Sequence, residues 1–209
     1  MLCFATPPRP GPAGPSHRSP TEDRRRRATR ALLGAIAGRD AQTARHCRRV
    51  CRLATRLARA MGLAPAQLDL VRTAALLHDL GKLAVPERIL RKPGALTANE
   101  RRIVATHAPQ GAAVLGILPS LCRAAAVVRY HHHHFDGAHW AGRRLRGDQL
   151  PLASRILAVA DAYEAMTSDR VYRRALSPAA ARGELLAQCG RQFDPAIVRA
   201  FLNRVPAPS

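Results

Sequence analysis

The chain has 209 residues, enough for one domain with length left for a tail, and its 47% hydrophobic content allows a packed core. Aromatics are only 4%, which leaves the core to Leu, Ala, Val and Ile and favours helices over sheets. A formal net charge of +20, from 34 basic and 14 acidic residues, draws anions, although basic positions filled by Arg everywhere but Lys82 and Lys92 also fit a coding bias.

Residues 1–27 read as a disordered tail: six of the sixteen prolines fall before residue 21, and the run Arg24-Arg25-Arg26-Arg27 closes it, the run itself reading as a solvated helix start rather than a nucleic-acid or membrane contact. The domain proper is expected over 28–209, with a helical apolar period from Ala28 onward. His46, Val50, Leu53, Leu57 and Met61 share one helix face, which Gly62 ends, and Pro65 opens a second helix running to His78 and Asp79. A loop follows over 81–86. Thr97 and Glu100 then form a capping box, with Ile103, Val104 and His107 on the face behind it. A helix from about Ser120 carries Leu121, Ala125 and Val128 into His131 and His132, and Pro151 starts another that holds Leu157 and Asp161. No strand-period segment of useful length and no internal repeat is present, so the fold class is all-α.

No run reaches the ~18 apolar residues of a membrane span. The N-terminus lacks the charged and apolar regions of a signal peptide, so the expected location is cytoplasmic. Five cysteines without a CxxC read as small buried hydrophobes in a reducing compartment. No nucleic-acid motif with stacking aromatics is visible, so nucleic acid is not the expected partner.

Adjacent His78 and Asp79 at the end of a buried helix use core space oddly, because a buried carboxylate needs a cation or hydrogen bonds to offset its desolvation. One such pair is weak evidence. His46, His107, His131, His132 and Asp161 on other predicted apolar faces turn it into a pattern: a bundle whose facing helices project ligands inward. Mixed imidazole and carboxylate donors suit Mn, Fe, Zn or Ni better than Ca or Mg. Two such ions about 3.5–4 Å apart would clamp a phosphodiester and ease deprotonation of water.

The order H…HD…H…HH…D resembles the metal-ligand series of HD-GYP phosphodiesterases, a branch of the HD superfamily. Supporting stretches are Arg39-Asp40, HDLGKLAVPERILRKPGALT over 78–97, HAPQG over 107–111, LPLASRILAVADAYEAMTSDRVYR over 150–173, and Phe193-Asp194-Pro195. The resemblance runs from about residue 38 to 202. It implies an HD-domain helical bundle around a dinuclear site of two divalent transition-metal ions, Fe or Mn. His46, His78, Asp79 and Asp161 would hold one ion, and Asp79 would bridge to a second held by His107, His131 and His132. Lys82 would contact the scissile phosphate or assist the leaving oxygen; a retained Lys beside HD in a chain that uses Arg almost exclusively suits a need for a compact ammonium. Arg170 and Arg173 resemble phosphate-contacting positions. The implied reaction is hydrolysis of cyclic di-GMP to pGpG and then GMP.

The family's second signature, HHExxDGxGYP, is altered. The glutamate position is His133, and Gly-Tyr-Pro is His139-Trp140-Ala141, while His131, His132 and Asp136-Gly137 remain. Losing a carboxylate at 133 removes a candidate orienter of a ligating His. Gln42, four residues before His46, replaces the Glu that a third metal would need. Three outcomes stay open: an active cyclic di-GMP enzyme, an HD-type phosphohydrolase for another nucleotide, or an inactive module that contacts a signalling protein. A homodimer is compatible with each.

Overall fold

The computed structural model describes residues 19–138, 145–169 and 174–205. Among them the chain is helical throughout, with only an isolated bridge between Cys189 and Phe193. Helix α1 (Pro20–Arg39) leads into α2 (Ala41–Ala60), the central helix, which packs on α1, on α3 (Pro65–Leu77) and on α8 (Leu152–Thr167). Ala44, Cys47, Val50, Ala54, Leu57 and Ala58 give α2 a fully buried stripe at helical spacing. Burying one such Leu stabilises the fold by about 1.5–3 kcal/mol. A short 3-10 turn over Leu80–Ala84 and helix α4 (Glu87–Leu90) follow α3. Then come α5 (Ala98–Ala105), α6 (His107–Gly116) and α7 (Cys122–Tyr130), and after α8 the chain closes with α9 (Pro178–Ala187) and α10 (Pro195–Arg204).

Several helix starts follow the expected chemistry. Pro65 occupies the first turn of α3, and Thr97 and Glu100 form the reciprocal capping box of α5. Asp40 caps α2, its carboxylate accepting from the backbone of Gln42 at 2.9 Å and of Thr43 at 3.2 Å. Arg39 donates to the Val85 carbonyl at 3.2 Å, tying the α1–α2 corner to the segment after Asp79.

Helix α1 begins at Pro20, ahead of the boundary expected at residue 27, and Arg24 to Arg27 lie within it, as a helix-start reading of that run expects. Ser19 caps this helix, Pro20 fits its first turn, and Glu22 and Asp23 suit the positive end of its dipole. Arg25 also pairs with Asp69 of α3, docking the early turns on the body. Residues 1–18 lie outside the described residues. Two further differences concern the site. The segment after Asp79 is a 3-10 turn rather than an open loop, and the helix after Thr97 breaks at Thr106, so His107 opens α6 instead of sitting on α5.

Candidate metal centre

Five helical elements deliver the candidate ligands. His46 lies in the second turn of α2, Asp161 lies within α8, and His78 and Asp79 follow the last residue of α3. His131 caps the end of α7, with His132 directly after it. The position of His107 depends on a backbone approach. A Cβ on Gly81 would fall 2.0 Å from the His107 carbonyl oxygen and 2.7 Å from the Gly111 nitrogen. Only glycine allows the turn after Asp79 to seat against the first turn of α6, and that seating brings His107 to Asp79.

The side chains meet around a cavity of about 330 Å³ lined by His46, Asp79, Lys82, His107, His131, His132 and Asp161 among others. His46 Nε2 is 3.0 Å from Asp161 Oδ1, 3.2 Å from His78 Nε2 and 3.7 Å from Asp79 Oδ2. His78 Nε2 is 3.6 Å from Asp79 Oδ2 and 3.8 Å from Asp161 Oδ1. On the other side, His107 Nε2 lies 3.5 Å from Asp79 Oδ1 and 3.2 Å from His132 Nε2. The ligand atoms of His107, His131 and His132 fall within 4.8 Å of one another, as do those of His46, His78 and Asp79 and those of His78, His131 and Asp161. All seven residues proposed from sequence as ligands are therefore brought together, with Asp79 facing both sides through its two oxygens.

Three of the imidazoles are held in one tautomer. His78, His107 and His131 each place Nδ1 on the carbonyl three residues back, Ala75 at 2.9 Å, Val104 at 2.7 Å and Val128 at 2.6 Å. A carbonyl only accepts, so Nδ1 carries the proton and each Nε2 presents a lone pair inward. His131 Nε2 is buried and has no hydrogen-bond partner among the described residues. A buried, unanswered acceptor beside other imidazole nitrogens fits a cation.

Electrostatics divide the cluster. Burial, followed by repulsion from neighbouring imidazoles, pushes His131 well down. Burial also dominates at His132, down to about 4, and lowers His107, so all three stay neutral and free to ligate. Around His46 the balance reverses. Burial opposes its charge, but contacts with Asp161 and Glu164 outweigh it and lift His46 to about 9. Burial likewise opposes ionisation of Asp79, yet Lys82 and the surrounding imidazoles hold its carboxyl well below the usual range; at Asp161, hydrogen bonding from His46 overcomes burial in the same way.

Glu164 is a residue the sequence reading missed. It is buried on α8, three residues after Asp161, and accepts from His46 Nδ1, from Arg49 Nε and from Ser168 Oγ, the last at 2.8 Å. Its spacing from Asp161, and that of Arg49 from His46, was the available signal. Lys82 Nζ sits 2.8 Å from Asp79 Oδ2; burial opposes its charge, but Asp79 raises its pKa and keeps it an ammonium. Lys82, His46 and Val104 also line a second cavity of about 310 Å³, together with Arg49, Arg91 and Lys92. Arg170 and Arg173 lie outside the described residues, as does His139-Trp140-Ala141.

Comparison with known proteins places this arrangement. The HD domain family matches residues 30–197. A 3'3'-cGAMP-specific phosphodiesterase 2 of Vibrio cholerae is 36% identical over 174 residues, covering 82% of this chain and 33% of the relative. The cyclic di-GMP phosphodiesterase response regulator RpfG of Xanthomonas campestris is 37% identical over 184 residues, covering 87% of this chain and 48% of the relative. The chain thus spans between a third and a half of these relatives. Among solved structures, Bd1817 of Bdellovibrio bacteriovorus, an HDG"Y"P protein, superposes with a TM-score of 0.65 at 16% identity, over 86% of this chain and 62% of that one, a likeness of fold. The chain belongs to the HD-domain family, and within it resembles the cyclic-dinucleotide phosphodiesterases of the HD-GYP type.

Proposed function

We propose that the chain is a metal-dependent phosphodiesterase that hydrolyses cyclic di-GMP to pGpG and onward to GMP, with two Fe or Mn ions as cofactors. The observation that carries this reading is the convergence of His46, His78, Asp79, His107, His131, His132 and Asp161 beside Lys82. His46, His78, Asp79 and Asp161 would hold one ion and His107, His131, His132 and Asp79 the other. Bound there, such ions supply Lewis acidity to phosphoryl oxygens and lower the pKa of water.

The chain's own groups do the rest. Asp79 offers one oxygen to each half of the cluster, and Glu164 fixes the ring of His46 through Nδ1. Lys82, protonated and placed where the two cavities join, would donate to the phosphate or to the departing oxygen. Arg49, Arg91 and Lys92, paired with Glu164, Glu87 and Glu100, line the adjoining cavity, which would receive the second half of a cyclic dinucleotide. Arg170 and Arg173 would add phosphate contacts from the segment after α8. Among the described residues no helix is long and apolar enough to cross a membrane. The unpaired buried thiols Cys47 and Cys51 fit a reducing compartment, so we place the reaction in the cytoplasm.

A second substrate is favoured by one observation: a relative at 36% identity is named for 3'3'-cGAMP. The test is conversion of cyclic di-GMP and of 3'3'-cGAMP by protein loaded anaerobically with Mn or Fe(II), read by product chromatography with Asp79→Ala as control. pGpG or GMP from the unsubstituted protein alone supports the lead reading. Turnover of 3'3'-cGAMP alone selects the second, and no product from either despite a filled site overturns both and leaves an HD-type phosphohydrolase for another nucleotide or a non-catalytic module.

A further inference from the structure

A second concave surface lies toward the other end of α2 and α3. It encloses about 480 Å³ between the first turns of α1, the end of α2, the start of α3 and the start of α7. Arg59 is thirteen residues beyond His46 on α2, roughly 20 Å of helical rise from the metal centre. Five arginines line the groove: Arg25, Arg26, Arg59, Arg72 and Arg123. Its only carboxylates, Glu22 and Asp69, are each taken, Glu22 by Arg26 at 2.8 Å and Asp69 by Arg25. Arg59, Arg72 and Arg123 make no ion pair among the described residues, and the residues outside that set contain no Asp or Glu that could supply one. Arg25 Nε is in addition a buried donor without an acceptor among the described residues.

Concentrated, unanswered guanidinium charge in a concave site calls for an anion from outside the chain. The volume exceeds what a single phosphate fills. An adjoining recess of about 250 Å³ shares Arg25, Arg26, Asp69 and Arg72 and adds the apolar side chains of Leu33 and Leu76, a surface suited to a base. Pro65 and Ala66, in the first turn of α3, also line the groove, so a helix N-terminus adds to the positive field.

We propose that this groove is a second ligand site, separate from the metal centre, that binds a nucleoside di- or triphosphate. Its phosphates lie against Arg59, Arg72 and Arg123, and its base lies toward Leu33 and Leu76. Arg72 is six residues before His78 on α3, so occupancy bears on the helix that carries a candidate metal ligand.

The test is fluorescence anisotropy of N-methylanthraniloyl-GTP with the metal-loaded full chain at about 0.15 M salt, where long-range charge attraction is screened. Arg72→Ala/Arg123→Ala removes two exposed side chains that take no part in the core, and should weaken binding at least tenfold. Asp161→Ala at the metal centre should leave it unchanged, as should Arg102→Ala/Arg199→Ala, which removes equal charge elsewhere. The proposal is overturned by absence of binding, by an equal loss in the Arg102→Ala/Arg199→Ala protein, by loss in Asp161→Ala, or by duplex DNA displacing the probe more effectively than GTP.

Discussion

The two halves of the histidine cluster are built on opposite electrostatic plans. Around His107, His131 and His132 the rings are pressed neutral by burial and oriented by backbone carbonyls or by one another, so ligand lone pairs are ready without proton loss. Around His46 the ring is tied to Asp161 and Glu164, and in the metal-free protein its pKa rises to about 9. The first half is preorganised by desolvation and the second by charge pairing, in which a proton occupies the place a cation would take. Asp79 joins the two.

Three changes would separate the halves and a fourth should leave both intact, and Gly81→Ala should act most strongly. Its Cβ would meet backbone atoms of His107 and Gly111, so the turn must move off α6, at a cost of about 1–3 kcal/mol for overpacking. We expect a lowered melting temperature together with loss of one bound metal per chain, counted by plasma mass spectrometry; retention of both ions would show that His107 does not depend on this seating.

Glu164→Gln leaves the packing of α8 in place but removes the anion that orients His46 and Arg49. Metal affinity of the His46 half should fall about 10–100-fold while the His107 half is unaffected. Titration calorimetry with Mn, resolved into two binding events, checks this, and an equal weakening of both would mean the halves are not independent.

The halves should also differ in pH dependence. Since the metal-free pKa of His46 is raised to about 9, a metal must displace its proton below that pH. Affinity of that half should climb about tenfold per pH unit up to about 9 and then level off. His132, lowered to about 4, should give the other half a flat affinity across the neutral range. Calorimetry in buffers of different ionisation enthalpy would show about one proton released at pH 7 by the first half and none by the second.

Asp40→Ala is the mildest change. It removes the cap of α2, the helix that carries His46, and should cost about 1 kcal/mol of stability without altering metal count.

Much of this site was legible in the sequence because its ligands fall on apolar helix faces or at the ends of them. His46 lies at the edge of the stripe that buries α2, and His131 comes three residues after the buried Val128 of α7. What stayed hidden depends on contacts between distant elements. The break at Thr106 did have a local signal that the reading passed over, Pro109, which fits the first turn of α6 but could not continue α5, whereas the new helix direction is set by packing against the turn containing Gly81. Gly81 itself carries no local signal, since the need for glycine arises from a backbone 26 residues away. Glu164 read as one more charge on α8 until His46 and Arg49 arrived from α2. The early start of α1 was masked by the proline-rich composition before it, although Ser19, Pro20, Glu22 and Asp23 form a complete helix-start signal.

The two-ion arrangement is tested most directly by anomalous diffraction from crystals grown with Mn. Two peaks are expected, one among His46, His78 and Asp161 and one among His107, His131 and His132, each touching an oxygen of Asp79. A single peak, or density away from these residues, would contradict a dinuclear centre and with it the division of the site into two halves.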